Sequence, residues 1–211
     1  MSKEPQQQRS VERRAAIVSA TAKIMVLEGA SAVSARRIAR EAGVPVAAIT
    51  YYFDSLAQIL GEALIDGLEQ RNAELVNTMH AAVLQKASRG EALVALAEVL
   101  CYRDPRKVAL RYELYGIAAR STELAESVRA ASGLMYRGIE SATALMGASA
   151  AVTASFEVLL EGFATASLTA PLSREAEVAR TVDAMRRFVF SDLPPGMTMA
   201  EWDALPLITP T

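Results

Sequence analysis

The chain has 211 residues, 52% of them apolar, a formal net charge of −2, one cysteine and one histidine. That length is ample for a self-sufficient core, and Cys101 alone can close neither an internal disulfide nor a structural zinc site. With His80 the only histidine, a histidine-rich metal site and the enzyme classes built on one are excluded, and no cofactor is implied.

The first helix is predicted over 11–28, where Ile17, Ala20, Ile24 and Leu27 recur at three- and four-residue steps before Gly29. Ser34 is placed to cap a short second helix carrying Arg36, Arg37, Ile38 and Ala39, closed by Gly43. Pro45 sits at the first position of a third segment that runs to Tyr52. Ser55 and Gln58 have capping-box spacing for a long fourth helix over 55–87, single or bent near Gly67. Gly90 separates it from 91–103, and Asp104-Pro105 opens 105–120. Further helices are expected over 122–146, 148–169 and 173–190, opened or closed by Ser121, Gly147 and Ser173. The Pro-rich tail with Trp202 reads as irregular or a short turn of helix. The expectation is an all-α chain of about nine helices, divided as 1–54, 55–193 and a tail over 194–211.

Charge is distributed unevenly along these elements. Residues 1–60 carry eight Lys/Arg against five Asp/Glu, and residues 61–211 carry fourteen against nineteen, so the N-terminal part suits an anionic partner. The N-terminus has no apolar run, and the longest uncharged stretch, 141–156, is shorter than the ~20 residues of a membrane span. A soluble cytoplasmic protein without a membrane partner is expected.

The stretch SARRIAREAGVPVAAITYYFDS, residues 34–55, has the spacing of a helix-turn-helix. Ala39 allows close helix approach, Gly43 suits the positive φ of the turn, and Ile38, Val44 and Ile49 are placed to lock the two helices. The competing reading is a helical hairpin in an unrelated α-protein whose arginines form a solvated face.

Residues 14–60 resemble the DNA-binding domain of the TetR/AcrR family of bacterial regulators. The resemblance rests on Glu28-Gly29, IAREAGV at 38–44, ITYYF at 49–53, and Ser55 before Ile59-Leu60. It implies a homodimeric, non-enzymatic regulator, a repressor that binds double-stranded operator DNA and is released by a small-molecule effector. Two departures stand out: Leu56 replaces a lysine that touches phosphate in many members, and Thr50 replaces a tyrosine. Pro45, Val46, Ala47 and Ala48 at the front of the recognition helix are apolar and make no bidentate base contacts. Base reading is therefore assigned to Arg36 and Tyr51. Arg37, Thr50, Tyr52 and the basic arm at Arg9, Arg13 and Arg14 are assigned to the phosphate backbone, and Ser34 is counted among the DNA-binding residues without a separate role.

The remainder is expected to sense the effector and to dimerise. Residues 141–173 hold only Glu157 and Glu161 as charges, which suits burial on more than one side. The resemblance makes 148–169 and 173–190 the dimer helices. Tyr112, Tyr115, Met135, Tyr136, Phe156 and Phe163 are the effector-pocket candidates, set against the alternative that they are ordinary core. Glu157 is expected to pair with arginine, and His80 and Cys101 to be core residues. Two other functions compete: an all-α carrier or enzyme, for which no nucleophile–base pair is visible, and a protein–protein adaptor without operator binding.

Overall fold

The computed structural model describes residues 4–101, 104–191 and 193–208; among them are ten α-helices and no strand, as an all-α chain requires. They form two compact units. The first comprises Met1–Glu69 with Ala109–Ser132, and the second Gln70–Val108 with Gly133–Thr211.

In the first unit, α1 spans Glu4–Glu28, starting seven residues before the periodic apolar run. Gln and Glu are good helix formers, and Gln8 bonds Glu12 one turn on at 3.0 Å, so the polar leader continues the helix. A 3-10 turn, Ala30–Ala32, leads to α2 (Ala35–Ala42) and α3 (Val46–Tyr52). Pro45 is the residue before α3 rather than its first member, with φ −60 and ψ 146. Helix α4 (Leu56–Leu84) is continuous through Gly67. At its start Ser55 Oγ accepts the Gln58 N–H, while Gln58 Oε1 takes the Asp54 N–H. Ile17, Ile24, Ile38 and Ile59 form the core, joined by Leu114 from α6 (Pro105–Ala118) and Leu124 from α7 (Thr122–Leu145). Each such side chain contributes about 1.5–3 kcal/mol by burial.

In the second unit, α5 (Arg89–Cys101) lies against α9 (Arg174–Phe190), and α9 against α8 (Ala150–Thr169). Gly90 does not separate two helices but lies inside α5, whose true start is a box: Ser88 Oγ accepts Glu91 N–H and Glu91 Oε2 accepts Ser88 N–H. Before it, α4 is closed by Lys86 in the left-handed region, φ 55. Arg71 donates to the Leu100 carbonyl at 3.1 Å, satisfying an end of α5. Leu75, Leu93, Leu96 and Phe156 are essentially inaccessible.

The tail as far as Ile208 is ordered. Thr198 and Glu201 cap α10 (Met199–Ala204), and Trp202 is 2% exposed in the core. Arg89 N–H reaches Leu205 O at 2.8 Å, Ile208 N–H reaches Leu145 O at 2.7 Å, and Arg186 pairs with Asp203. His80 departs from expectation: the buried face of α4 runs through Leu75, Met79 and Ala82, and His80 points out to solvent beside it. Cys101 is half-buried, with its thiol against Thr181 Oγ1.

Candidate nucleic-acid interface

Ser34 starts α2 by accepting the Arg37 N–H at 3.3 Å, which leaves its hydroxyl in place at the outer end of the helix. Gly43 ends α2 at φ 65, ψ 33, a conformation costly for any residue with a Cβ, and the Val44 N–H closes back to Ala39 O at 3.0 Å. Ile38, Ala39 and Ile49 are buried where α2 meets α3. With the inner face of α3 anchored by Ile49, the opposite face is bare: Val46 is 47% and Tyr51 79% exposed, with Pro45, Ala47 and Thr50 also open. Ala48 and Tyr52 are half-buried, Tyr52 packing on the core and meeting the Tyr51 ring edge-on at 4.9 Å. An aromatic ring held out to water on a two-turn helix gains nothing for the fold. It is available to a partner.

The arginines divide by their neighbours. Arg36 is exposed and makes no ion pair among the described residues; Arg9 and Arg13 are exposed likewise. Arg37 turns inward and grips Glu28 at the end of α1 and Glu41 at 2.9 Å on its own helix. Lys23 and then Arg37 hold the Glu41 carboxyl down at about 2. Arg14 pairs with Glu62 at 2.6 Å and covers the Phe53 ring at 4.8 Å. Arg36 thus stands exposed without an ion pair among the described residues, Tyr51 is exposed beside the Tyr52 ring, and Arg14 and Arg37 already hold the fold. Leu56, where a phosphate-binding lysine was missed, is a 41% exposed apolar residue.

Glu28 and Glu41 enter the sequence reading only as members of motifs, not as partners of Arg37, and Glu113 does not enter it at all. Glu113 of α6 accepts N–H bonds from Ala30 and Ser31, both at 2.9 Å. A carboxylate 83 residues from the turn it caps carries no local signal; only the i,i+4 spacing of Arg37 and Glu41 was readable.

The effector candidates are not gathered in one cavity. Tyr112 and Tyr115 meet edge-on at 6.0 Å in the first unit. In the second, Phe156 lines a cavity of about 10 Å³ with Met185, Trp202 and the hydrogen-bonded pair Thr143–Thr153. Phe163 lines another of about 20 Å³ under Arg180, which stacks on its ring at 4.4 Å. Met135 packs on the core and Tyr136 is 42% exposed. The Glu157 side chain lies outside the described residues, and Glu161 is half-buried. The described residues hold no group of three or more potential metal ligands.

A model of bacterial regulatory proteins of the tetR family matches residues 17–63. No curated protein matches the chain. Among solved structures, a protein of Streptomyces coelicolor A3(2) described as a transcriptional regulator is 28% identical, with a TM-score of 0.63 over 84% of this chain and 98% of that one. The multidrug-binding protein EbrR, complexed with proflavin, is 25% identical with a TM-score of 0.60, over 83% of this chain and 99% of that one. A TetR-family regulator of Mesorhizobium loti MAFF303099 shares the fold at a TM-score of 0.74 and 17% identity, over 87% and 98%.

Proposed function

We propose that this chain, whose residues 17–63 match bacterial regulatory proteins of the tetR family, is a cytoplasmic, non-enzymatic, DNA-binding repressor, a homodimer released from its operator by a small molecule. Residues 1–54 carry DNA contact, and 55–193 carry effector binding and dimerisation. Arg36 and Tyr51 read bases. Ser34, Pro45, Val46, Ala47, Ala48, Thr50 and Tyr52 line the approach, with Arg14 and Arg37 exchanging their carboxylate partners for phosphates. The observation that carries the reading is the bare face of α3, where Tyr51 stands 79% exposed, together with the exposed Arg36 on α2.

Dimerisation is supported by α8. Ala151, Ala154, Val158, Gly162, Thr165 and Leu168 recur at three- and four-residue steps, all exposed and none charged. By length and composition alone α8 would also cross a membrane. A second copy is the better cover, because two half-sites one DNA turn apart need two linked recognition helices.

The effector enters by displacing side chains, since cavities of about 10 and 20 Å³ hold little more than a water molecule. Met135, Tyr136, Phe156 and Phe163 of the second unit are the candidates to repack around it, with Tyr112 and Tyr115 candidates within the first, and such side chains favour an aromatic guest. EbrR, which binds proflavin, is a relative consistent with that choice. Effector binding shifts the DNA affinity only as far as it distinguishes the two states.

The test is a gel shift of the full chain on the DNA upstream of its own gene, across a salt series. Site-preferring, salt-sensitive binding is expected. Equal affinity for upstream and scrambled duplexes would sink the operator reading and favour the adaptor or carrier. Native mass spectrometry of protein purified from its host then looks for the retained small molecule.

A further inference from the structure

The turn between α1 and α2 cannot cap itself. Gly29, at φ 89, has no side chain to accept from the residues that follow. The 3-10 turn Ala30–Ala32 leaves its first N–H groups without partners inside it. Glu113 supplies them from α6: Oε2 accepts the Ala30 N–H and Oε1 the Ser31 N–H, each at 2.9 Å. Both carboxylate oxygens are thereby engaged in charge-assisted bonds. Ala30 is 4% exposed, so solvent is a poor substitute there. Glu113 is itself firmly mounted, because its neighbours Leu114 and Ala118 are buried in the same core as Ile17 and Ile38. Gly29 also leaves it room, since a Cβ there would stand 3.2 Å from Oε2.

This turn sets the direction of α2. Val33, 5% exposed, follows it directly, Ser34 caps α2, and Gly43 then hands the chain to α3. Across the same turn Arg37 ties α2 back to Glu28. Both ties lie within the first unit, Arg37 acting from α2 and Glu113 from α6.

We propose that Glu113 is a positioning residue for operator recognition: its carboxylate splints the α1–α2 turn and so fixes how α2 and α3 present Arg36 and Tyr51. The inference rests on the DNA-binding reading above. Removing the splint takes away no group that touches DNA, but it loosens the aim of those that do. Base-specific affinity then falls, while the phosphate-borne, salt-dependent part stays.

The experiment compares wild type, Glu113→Ala and Glu113→Gln on the upstream duplex and on a scrambled duplex, across a salt series well below each melting temperature. Glu113→Ala is expected to lose about tenfold on the upstream duplex, with scrambled-duplex affinity and salt slope within about twofold of wild type. Glu113→Gln, which keeps one acceptor oxygen, falls between. Upstream affinity within twofold of wild type, or equal losses on both duplexes, overturns the proposal. Should Glu113→Ala fail to fold by circular dichroism, Glu113→Gln is judged by the same criteria. If wild type itself shows no preference for the upstream DNA, the operator reading fails first and takes this inference with it.

Discussion

Arg36 and Arg37 are adjacent in sequence and opposite in circumstance. Arg37 meets Glu28 and Glu41, whereas Arg36 meets water. Arg36→Ala is therefore expected to leave the melting temperature unchanged, cost about 1–3 kcal/mol of operator affinity and relax preference at one base position. Binding to a set of singly substituted duplexes checks this; uniform weakening on all of them would refute it. The acid side of the pair has its own signature. Glu41 is held at about 2 against an ordinary 4.5, by Lys23 first and Arg37 second. The folded state thus binds its proton less readily than the unfolded chain. The stabilisation is complete above about pH 4.5 and lost as pH falls toward 2. Thermal melts between pH 6 and 2.5 should show a drop in that window, smaller in Lys23→Ala and blunted by salt because the group is open to solvent. The outward exposure of Arg36 and Tyr51 was legible in the sequence, because helical spacing sets them off the face of Ile38 and Ile49. The partners of Arg14, Glu62 and Phe53, were not, since they depend on how α1 meets α4 and the end of α3.

At the scale of elements, what reads well in sequence is whatever closes within four or five residues. Ser34, Gly43 and Ser173 all stop or start helices where their chemistry indicates. The start of α5 escaped because Gly90 was taken as a break. The Ser88–Glu91 box overrides it, and Gly90 serves a tertiary role, with Asp203 packed at 3.0 Å from where its Cβ would be. Gly138 in α7 is a sharper case: a Cβ there would overlap Asn72 Oδ1, a buried oxygen with no hydrogen-bond partner among the described residues. Gly138→Ala is expected to destabilise the protein by about 1–3 kcal/mol despite alanine's better helix propensity. Asn72→Ala should recover most of that loss, as it removes both the clash and an unsatisfied polar atom. Denaturant melts of the four-member cycle measure the coupling, and additive effects would show that the two residues act independently.

For the whole molecule, the two compact units do not follow the order of the chain, because Ala109–Ser132 belongs with the N-terminal helices. No local pattern announces this, since the pairing of Leu114 and Leu124 with Ile17 and Ile38 spans some hundred residues. The exposed stripe on α8 leads to a prediction at this scale. Val158→Glu places a charge at its most exposed apolar position, 75% accessible, without touching the core. Light scattering is expected to show a monomer that has lost cooperative operator binding; an unchanged dimer would move the interface elsewhere. The burial of Trp202 has an optical meaning as well. It is the sole indole in the chain and sits on the same cavity wall as Phe156, while the bare face of α3 carries only phenols. Emission excited at the red edge of the spectrum therefore comes from one unit alone. A guest lodging beside Phe156 lies against the emitter, whereas DNA meeting Tyr51 makes no direct contact with the indole and reaches it only through the coupling of the two states. The chain thus carries its own single-site dye, which distinguishes a sensing event from a DNA-binding one without any label.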